Sequence, residues 1–99
     1  MVRRKGERPH ISTWPEWGEG HPVYRNIREG DYWFAAWFGE AATPYVRLKK
    51  LSGVGLDRIA AIDDGDKLTR AELEAFARAW NADPEQVIAS LPSPEMLVE

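Results

Sequence analysis

The stretch Leu48-Lys49-Lys50-Leu51-Ser52-Gly53-Val54-Gly55-Leu56-Asp57-Arg58-Ile59-Ala60-Ala61-Ile62-Asp63-Asp64-Gly65 constrains the fold more than any other part of this sequence. Apolar residues fall at Leu48, Leu51, Val54, Ile59 and Ile62, the set that two crossed helices need to bury one shared seam. Gly53 allows a sharp turn between the helices, and Gly65 closes the second one. The pattern predicts a helix, a tight turn and a second short helix, the helix-turn-helix unit.

Local signals extend the reading in both directions. Thr43-Pro44 predicts the start of the first of these helices, with a capping hydroxyl, a proline at the first helical position, and Tyr45, Leu48 and Leu51 on one face. The second helix is expected from about Leu56 to Asp64. Thr69-Arg70-Ala71-Glu72 is a capping box that starts a longer helix, to about Trp80, with Leu73, Phe76, Ala77 and Trp80 as its core stripe. Asp83-Pro84-Glu85 starts a last short helix to about Leu91, burying Val87, Ile88 and Leu91, and Pro92 and Pro94 stop it.

Residues 23–38 admit two readings. Val23 to Ile27 and Tyr32 to Phe34 could pair as a short β-hairpin near 23–34 that turns at Gly30. Alternatively, Asp31 caps a helix from Tyr32 to Glu40, which sets Trp33 over Trp37 and Phe34 over Phe38. Ala35 and Ala36 favour the helix, and its nearly all-round apolar character predicts burial. Residues 1–22, with Pro9, Pro15, Gly18, Gly20 and Pro22, read as an irregular basic arm. Trp14 and Trp17 predict that the later part of the arm packs on the helical body, because each indole can remove roughly 150–250 Å² from water. The expected organisation is an arm over 1–22, a helical domain over 23–92 and a tail over 93–99.

Ninety-nine residues, 43% of them hydrophobic, suit one small domain with a real core. The absence of cysteine excludes disulfides and thiolate metal sites. The longest apolar run, Tyr32 to Phe38, falls far short of the roughly 20 residues that span a bilayer. The N-terminus has no apolar signal stretch, so a cytoplasmic location with no membrane partner is the expectation. The net charge of −3 hides an asymmetry. Residues 1–50 hold nine Lys/Arg against six Asp/Glu, whereas residues 51–99 hold four against ten.

No catalytic constellation emerges, and an enzyme is not expected. His10 and His21 both lie in the irregular arm beside proline, and Ser12, Ser52, Ser90 and Ser93 have no His/Asp partner that sequence can place nearby. Asp63-Asp64-Gly65-Asp66 lacks the alternating oxygen ligands and the terminal glutamate of a calcium loop, and Lys67 would oppose a cation. Gly53 and Gly55 flank only Val54, which a turn explains without a phosphate loop. Neither a metal nor another cofactor is expected.

Leu48, Gly53, Val54, Ile59, Ile62 and Gly65, followed by Leu73, Phe76, Ala77, Ala79, Trp80 and the run Asp83-Pro84-Glu85-Gln86-Val87, carry a wider likeness. Over about residues 31–91, with Tyr32 to Glu40 as a first helix, the chain resembles the λ-repressor/Cro (XRE-type) helix-turn-helix family. The resemblance implies a mainly α, five-helix λ-repressor-like bundle and a small bacterial or phage-type transcriptional regulator that binds double-stranded DNA. It places the recognition helix and its flank at Gly55, Leu56, Asp57, Arg58 and Ala61. Phosphate contacts would come from Thr43, Arg47, Lys49 and Lys50 and from Arg3, Arg4, Lys5 and Arg8 in the arm.

The departures from the family pattern bear on function. Lys49 stands where the family usually packs an alanine. Gly55, Leu56, Asp57, Ala60 and Ala61, at the base-facing positions, include no Arg, Asn or Gln to make bidentate contacts to purines. Arg58 is the one such residue on the helix, and the family pattern turns it partly aside. Asp57, Asp63, Asp64 and Asp66 add charge that phosphates repel. Weak or unusual sequence readout is therefore the expectation. The competing expectation is a protein–protein interaction module on the same scaffold, without DNA binding. Its acidic C-terminal half would steer a basic protein partner, with Trp14 and Trp17 as contact candidates and a homodimer as a further arrangement.

Overall fold

The computed structural model of the protein describes residues 14–98, and three of its six α-helices start where a side chain satisfies a free backbone N–H. Helix α1, Pro22–Arg28, begins with His21 Nδ1 accepting from the Val23 N–H at 3.2 Å, with Pro22 in the first turn. Arg25 and Arg28 occupy its last turn, where the helix dipole favours cations. Helix α2 spans Trp33–Glu40, α3 Tyr45–Ser52 and α4 Leu56–Asp63. Helix α5, Arg70–Trp80, carries the complete capping box, with Glu72 N–H donating to Thr69 Oγ1 at 3.1 Å and Thr69 N–H donating to Glu72 Oε1 at 2.9 Å. Helix α6, Pro84–Ala89, is capped by Asp83, which accepts from the Glu85 N–H at 3.0 Å. Strand β1, Leu68–Thr69, pairs in parallel with β2, Leu97–Val98, in the register Leu68 with Leu97 and Thr69 with Val98. The described residues thus form a small, mainly α-helical domain of six helices with a minor two-stranded sheet.

Five features depart from the sequence expectations. The hairpin reading of 23–34 gives way to α1 because Val23, Tyr24 and Ile27 follow helical spacing. Val23 is buried, and Tyr24 and Ile27 are half-buried against the body. Asp31 does not cap α2; Tyr32 occupies that position with no side-chain hydrogen bond to the helix. Thr43 does not cap α3, since its hydroxyl oxygen accepts from the Trp80 indole at 2.9 Å, leaving Pro44 at the helix boundary without a side-chain cap. Leu51 is 47% exposed rather than in the seam, because the buried arc of α3 runs through Tyr45, Leu48 and Ser52 and leaves Leu51 at its outer edge. Residues 97 and 98, expected in a tail, form β2. A short 3-10 turn at Pro94–Met96, capped by Ser93, delivers them to β1.

The core is a column of rings. Trp37 on α2 stacks on Trp80 of α5 with centroids 5.6 Å apart and planes 6° from parallel, while Phe34 and Phe76 pack beside it. The polar ends of these indoles are satisfied within the fold: Trp37 Nε1 donates to Ser90 Oγ and Trp80 Nε1 to Thr43 Oγ1, each at 2.9 Å, and Trp14 Nε1 donates to the Trp80 carbonyl at 3.0 Å. Residues 14–17 are folded onto the helices, with Trp14 stacked on His21 and Trp17 stacked on Trp37.

Candidate nucleic-acid interface

Helices α3 and α4 pack together, separated by the three residues Gly53-Val54-Gly55. Gly53 adopts φ +82°, and its N–H donates to the Lys49 carbonyl at 2.8 Å. Ser52 adds a stitch, donating its hydroxyl to the Leu48 carbonyl at 2.7 Å and accepting from the Val54 N–H at 3.1 Å. Leu48, Ile59 and Ile62 are buried under the turn and Val54 is half-buried. Tyr45 closes the other end of the pair by donating its hydroxyl to the Asp63 carboxylate. That bond, with smaller contributions from burial and from the charges of Asp63 and Asp64, raises the Tyr45 pKa.

The solvent-facing arc of α3 carries Arg47, Lys49 and Lys50, all exposed and none in an ion pair among the described residues. Lys49 stands free in solvent, so it does not crowd α4. Val46, 69% exposed, and Leu51 lie on the same arc. The exposed face of α4 consists of Leu56, Asp57 and Ala60, continued by Asp64 after the helix, with Gly55 exposed at its start and Ala61 half-buried. This face offers methyl groups and carboxylates, with no donor shaped for a purine edge.

Arg58 has a different assignment from the one expected of it. Its guanidinium clamps Glu72 through Nε and Nη2 at 2.9 and 3.1 Å, reaches Asp66 through Nη1 at 2.9 Å, and donates to the Lys67 carbonyl at 3.0 Å. The fork geometry of arginine makes this bidentate grip the strong kind of ion pair. It holds the Glu72 and Asp66 carboxyls below the usual carboxylate range and pushes the Arg58 pKa further up. Arg58 therefore joins α4 to the start of α5 and is withdrawn from the base-reading set. Glu72 serves both the α5 cap and this clamp, a double role that spacing alone signals only in its capping half.

Thr43 is buried and bonded to Trp80, so it has no surface to present to a phosphate. Trp14 and Trp17 are half-buried and packed against His21 and Trp37, which assigns most of their area to the fold rather than to a partner. Arg3, Arg4, Lys5 and Arg8 lie outside the described residues. Among the described residues no cluster of three or more His, Asp or Glu could hold a metal ion, and no helix is long and apolar enough to cross a membrane. Compared with family models, with curated proteins and with solved structures, this chain finds no match among any of them.

Proposed function

We propose that this chain is a DNA-binding protein of the helix-turn-helix type, arranged as a λ-repressor-like bundle from α2 to α6, that holds duplex DNA chiefly by its backbone. The supporting observation is the solvent-facing arc of α3, where Arg47, Lys49 and Lys50 stand exposed and, among the described residues, unpaired on the helix that precedes α4. Phosphate contacts position a protein on the duplex and base contacts specify the sequence. With Leu56 and Ala60 available to thymine methyls and Asp57 to a cytosine amino group, base readout is thin, and binding is weakly selective.

Counterion release then dominates affinity. Fluorescence anisotropy of a labelled duplex, titrated at several salt concentrations, should give a steep fall of affinity with salt, about 0.9 log units per log unit of salt for each phosphate neutralised. Replacing Arg47, Lys49 and Lys50 together by Gln should reduce that slope by about 2 to 3. No binding at low salt with micromolar protein would end this reading.

One observation favours a second reading. The single arginine on α4 is neutralised by carboxylates, and Val46, Leu51 and Leu56 supply exposed apolar area on the same helix pair. That combination suits a protein partner, and it becomes the leading reading if the DNA titration fails.

A further inference from the structure

A cavity of about 490 Å³ opens between the end of α1, the loop leading into α2 and the chain that leaves α6. Four aromatic residues line it, Trp17, Tyr24, Tyr32 and Trp33, with Arg28 and Asp31 also on its walls. Its size lies within the range of binding clefts, which hydrophobic and aromatic residues ordinarily line. Trp33 is the informative member. It is buried, and its indole N–H is the one buried side-chain polar atom among the described residues with no hydrogen-bond partner. The indoles of Trp14, Trp37 and Trp80 all have acceptors. An unmet buried donor is costly to a fold, and the cavity that Trp33 helps to line is the opening beside this residue.

The two charged residues differ in availability. Arg28 is held by Glu19 at 3.1 Å, with its guanidinium 5.9 Å from the centre of the Tyr24 ring. The Asp31 carboxylate is exposed and in no ion pair among the described residues. A complementary ligand therefore needs flat apolar surfaces, a free carbonyl oxygen and a positive charge. A small aromatic molecule supplies the first with ease, and the other two only by particular decoration. A polyproline II segment supplies all three in repeating form: prolyl rings that lie on aromatic faces, carbonyls left free because the helix has no internal hydrogen bonds, and a flanking Lys or Arg. Its stiffness also limits the entropy lost on docking.

We propose that this cavity is a docking site for a proline-rich peptide segment of another protein, with a ligand carbonyl accepting from Trp33 Nε1 and a ligand cation beside Asp31. The nitrogen is covered in the free protein, so binding displaces side chains at the cavity wall. The site is separate from the α3–α4 pair and does not depend on the DNA reading.

The test uses the ¹⁵N-labelled full chain and its indole N–H resonances, with Trp33 assigned by the loss of its signal in Trp33→Phe. If that variant does not fold, through-space contacts to both the Phe34 ring, 5.4 Å away, and the Tyr32 ring, 6.2 Å away, make the same assignment. A short peptide of consecutive prolines with one terminal arginine is titrated in, against a glycine–serine peptide of the same length and charge. The expected result is a saturable shift of the Trp33 indole with the proline peptide alone. Binding should be about two- to fivefold weaker in Asp31→Asn, the worth of an exposed ion pair. An unmoved Trp33 resonance at millimolar peptide, an equal response to the control peptide, or undiminished affinity in Asp31→Asn would overturn the proposal. So would a shift produced by a small aromatic amide and not by the peptide.

Discussion

His21 shows how one side chain can tie distant parts of a small domain together and couple them to pH. Its Nδ1 accepts from the Val23 N–H at 3.2 Å and therefore carries no proton, while Nε2–H donates to Gln86 Oε1 at 3.1 Å. The Gln86 amide nitrogen donates onward to the Pro15 carbonyl at 2.9 Å, so the neutral ring is the form the network accepts. Burial lowers the His21 pKa below its ordinary value of 6.5, outweighing the opposing influences of the Gln86 hydrogen bond and the Glu40 charge. The unfolded chain thus takes up a proton at a higher pH than the folded one. The stability that His21 contributes is complete above about pH 6.5 and declines as pH falls from there towards the folded pKa. The urea midpoint of unfolding should drop between pH 7.5 and 5.5, and the drop should shrink in His21→Asn, which keeps a capping acceptor without a titrating ring. A midpoint unchanged over that interval would contradict the assignment. Glu72 and Asp66, held low by Arg58, act in a separate window: their contribution stands above the ordinary carboxylate range and is lost only as pH falls through their depressed values.

At the level of the element, the turn between α3 and α4 isolates a backbone effect from a packing effect. Gly53 sits at φ +82°, and a Cβ built there meets no atom within 4 Å. Gly53→Ala should therefore cost about 1–2 kcal/mol through backbone conformation alone, with Gly53→Asn milder, as read from denaturation midpoints. A cost several times larger would mean that the turn is packed more tightly than its geometry indicates. This turn, and helices α5 and α6, are legible in the sequence because their determinants are local. Thr69 and Asp83 cap within three residues of themselves, and Gly53 supplies its own conformation. What is not legible depends on partners far along the chain. The Thr43 hydroxyl reads as a cap until Trp80, 37 positions later, claims it. His21 caps α1 two residues on, but the tautomer that makes its Nδ1 an acceptor is set by Gln86, 65 positions away. Arg58 reads as a candidate base contact, yet Asp66 and Glu72 lie close enough in space to bind it first. The β1–β2 pair, two residues per strand, is too short to leave an alternating pattern.

The whole molecule is organised by rings drawn from segments far apart in sequence. Trp14 precedes the first helix, Trp37 lies on α2 and Trp80 ends α5, yet the Trp14 indole reaches the Trp80 carbonyl across 66 positions. The parallel pairing of Leu68–Thr69 with Leu97–Val98 fastens the chain after α6 beside the start of α5 in the same spirit. Trp37 is the shared member of the column, with centroids 5.1 Å from Trp14, 6.1 Å from Trp17 and 5.6 Å from Trp80. Rings this close exchange excitation, so their ultraviolet transitions mix and split into bands of opposite circular-dichroism sign. The molecule therefore carries an optical signature of its own assembly, distinct from the helix signal. Trp37→Phe should remove most of that paired band while leaving helical content in place. Followed during an acid titration, the part of the band that Trp14 and Trp17 contribute should fade before the helix signal if protonation of His21 frees residues 14–21 from the helices.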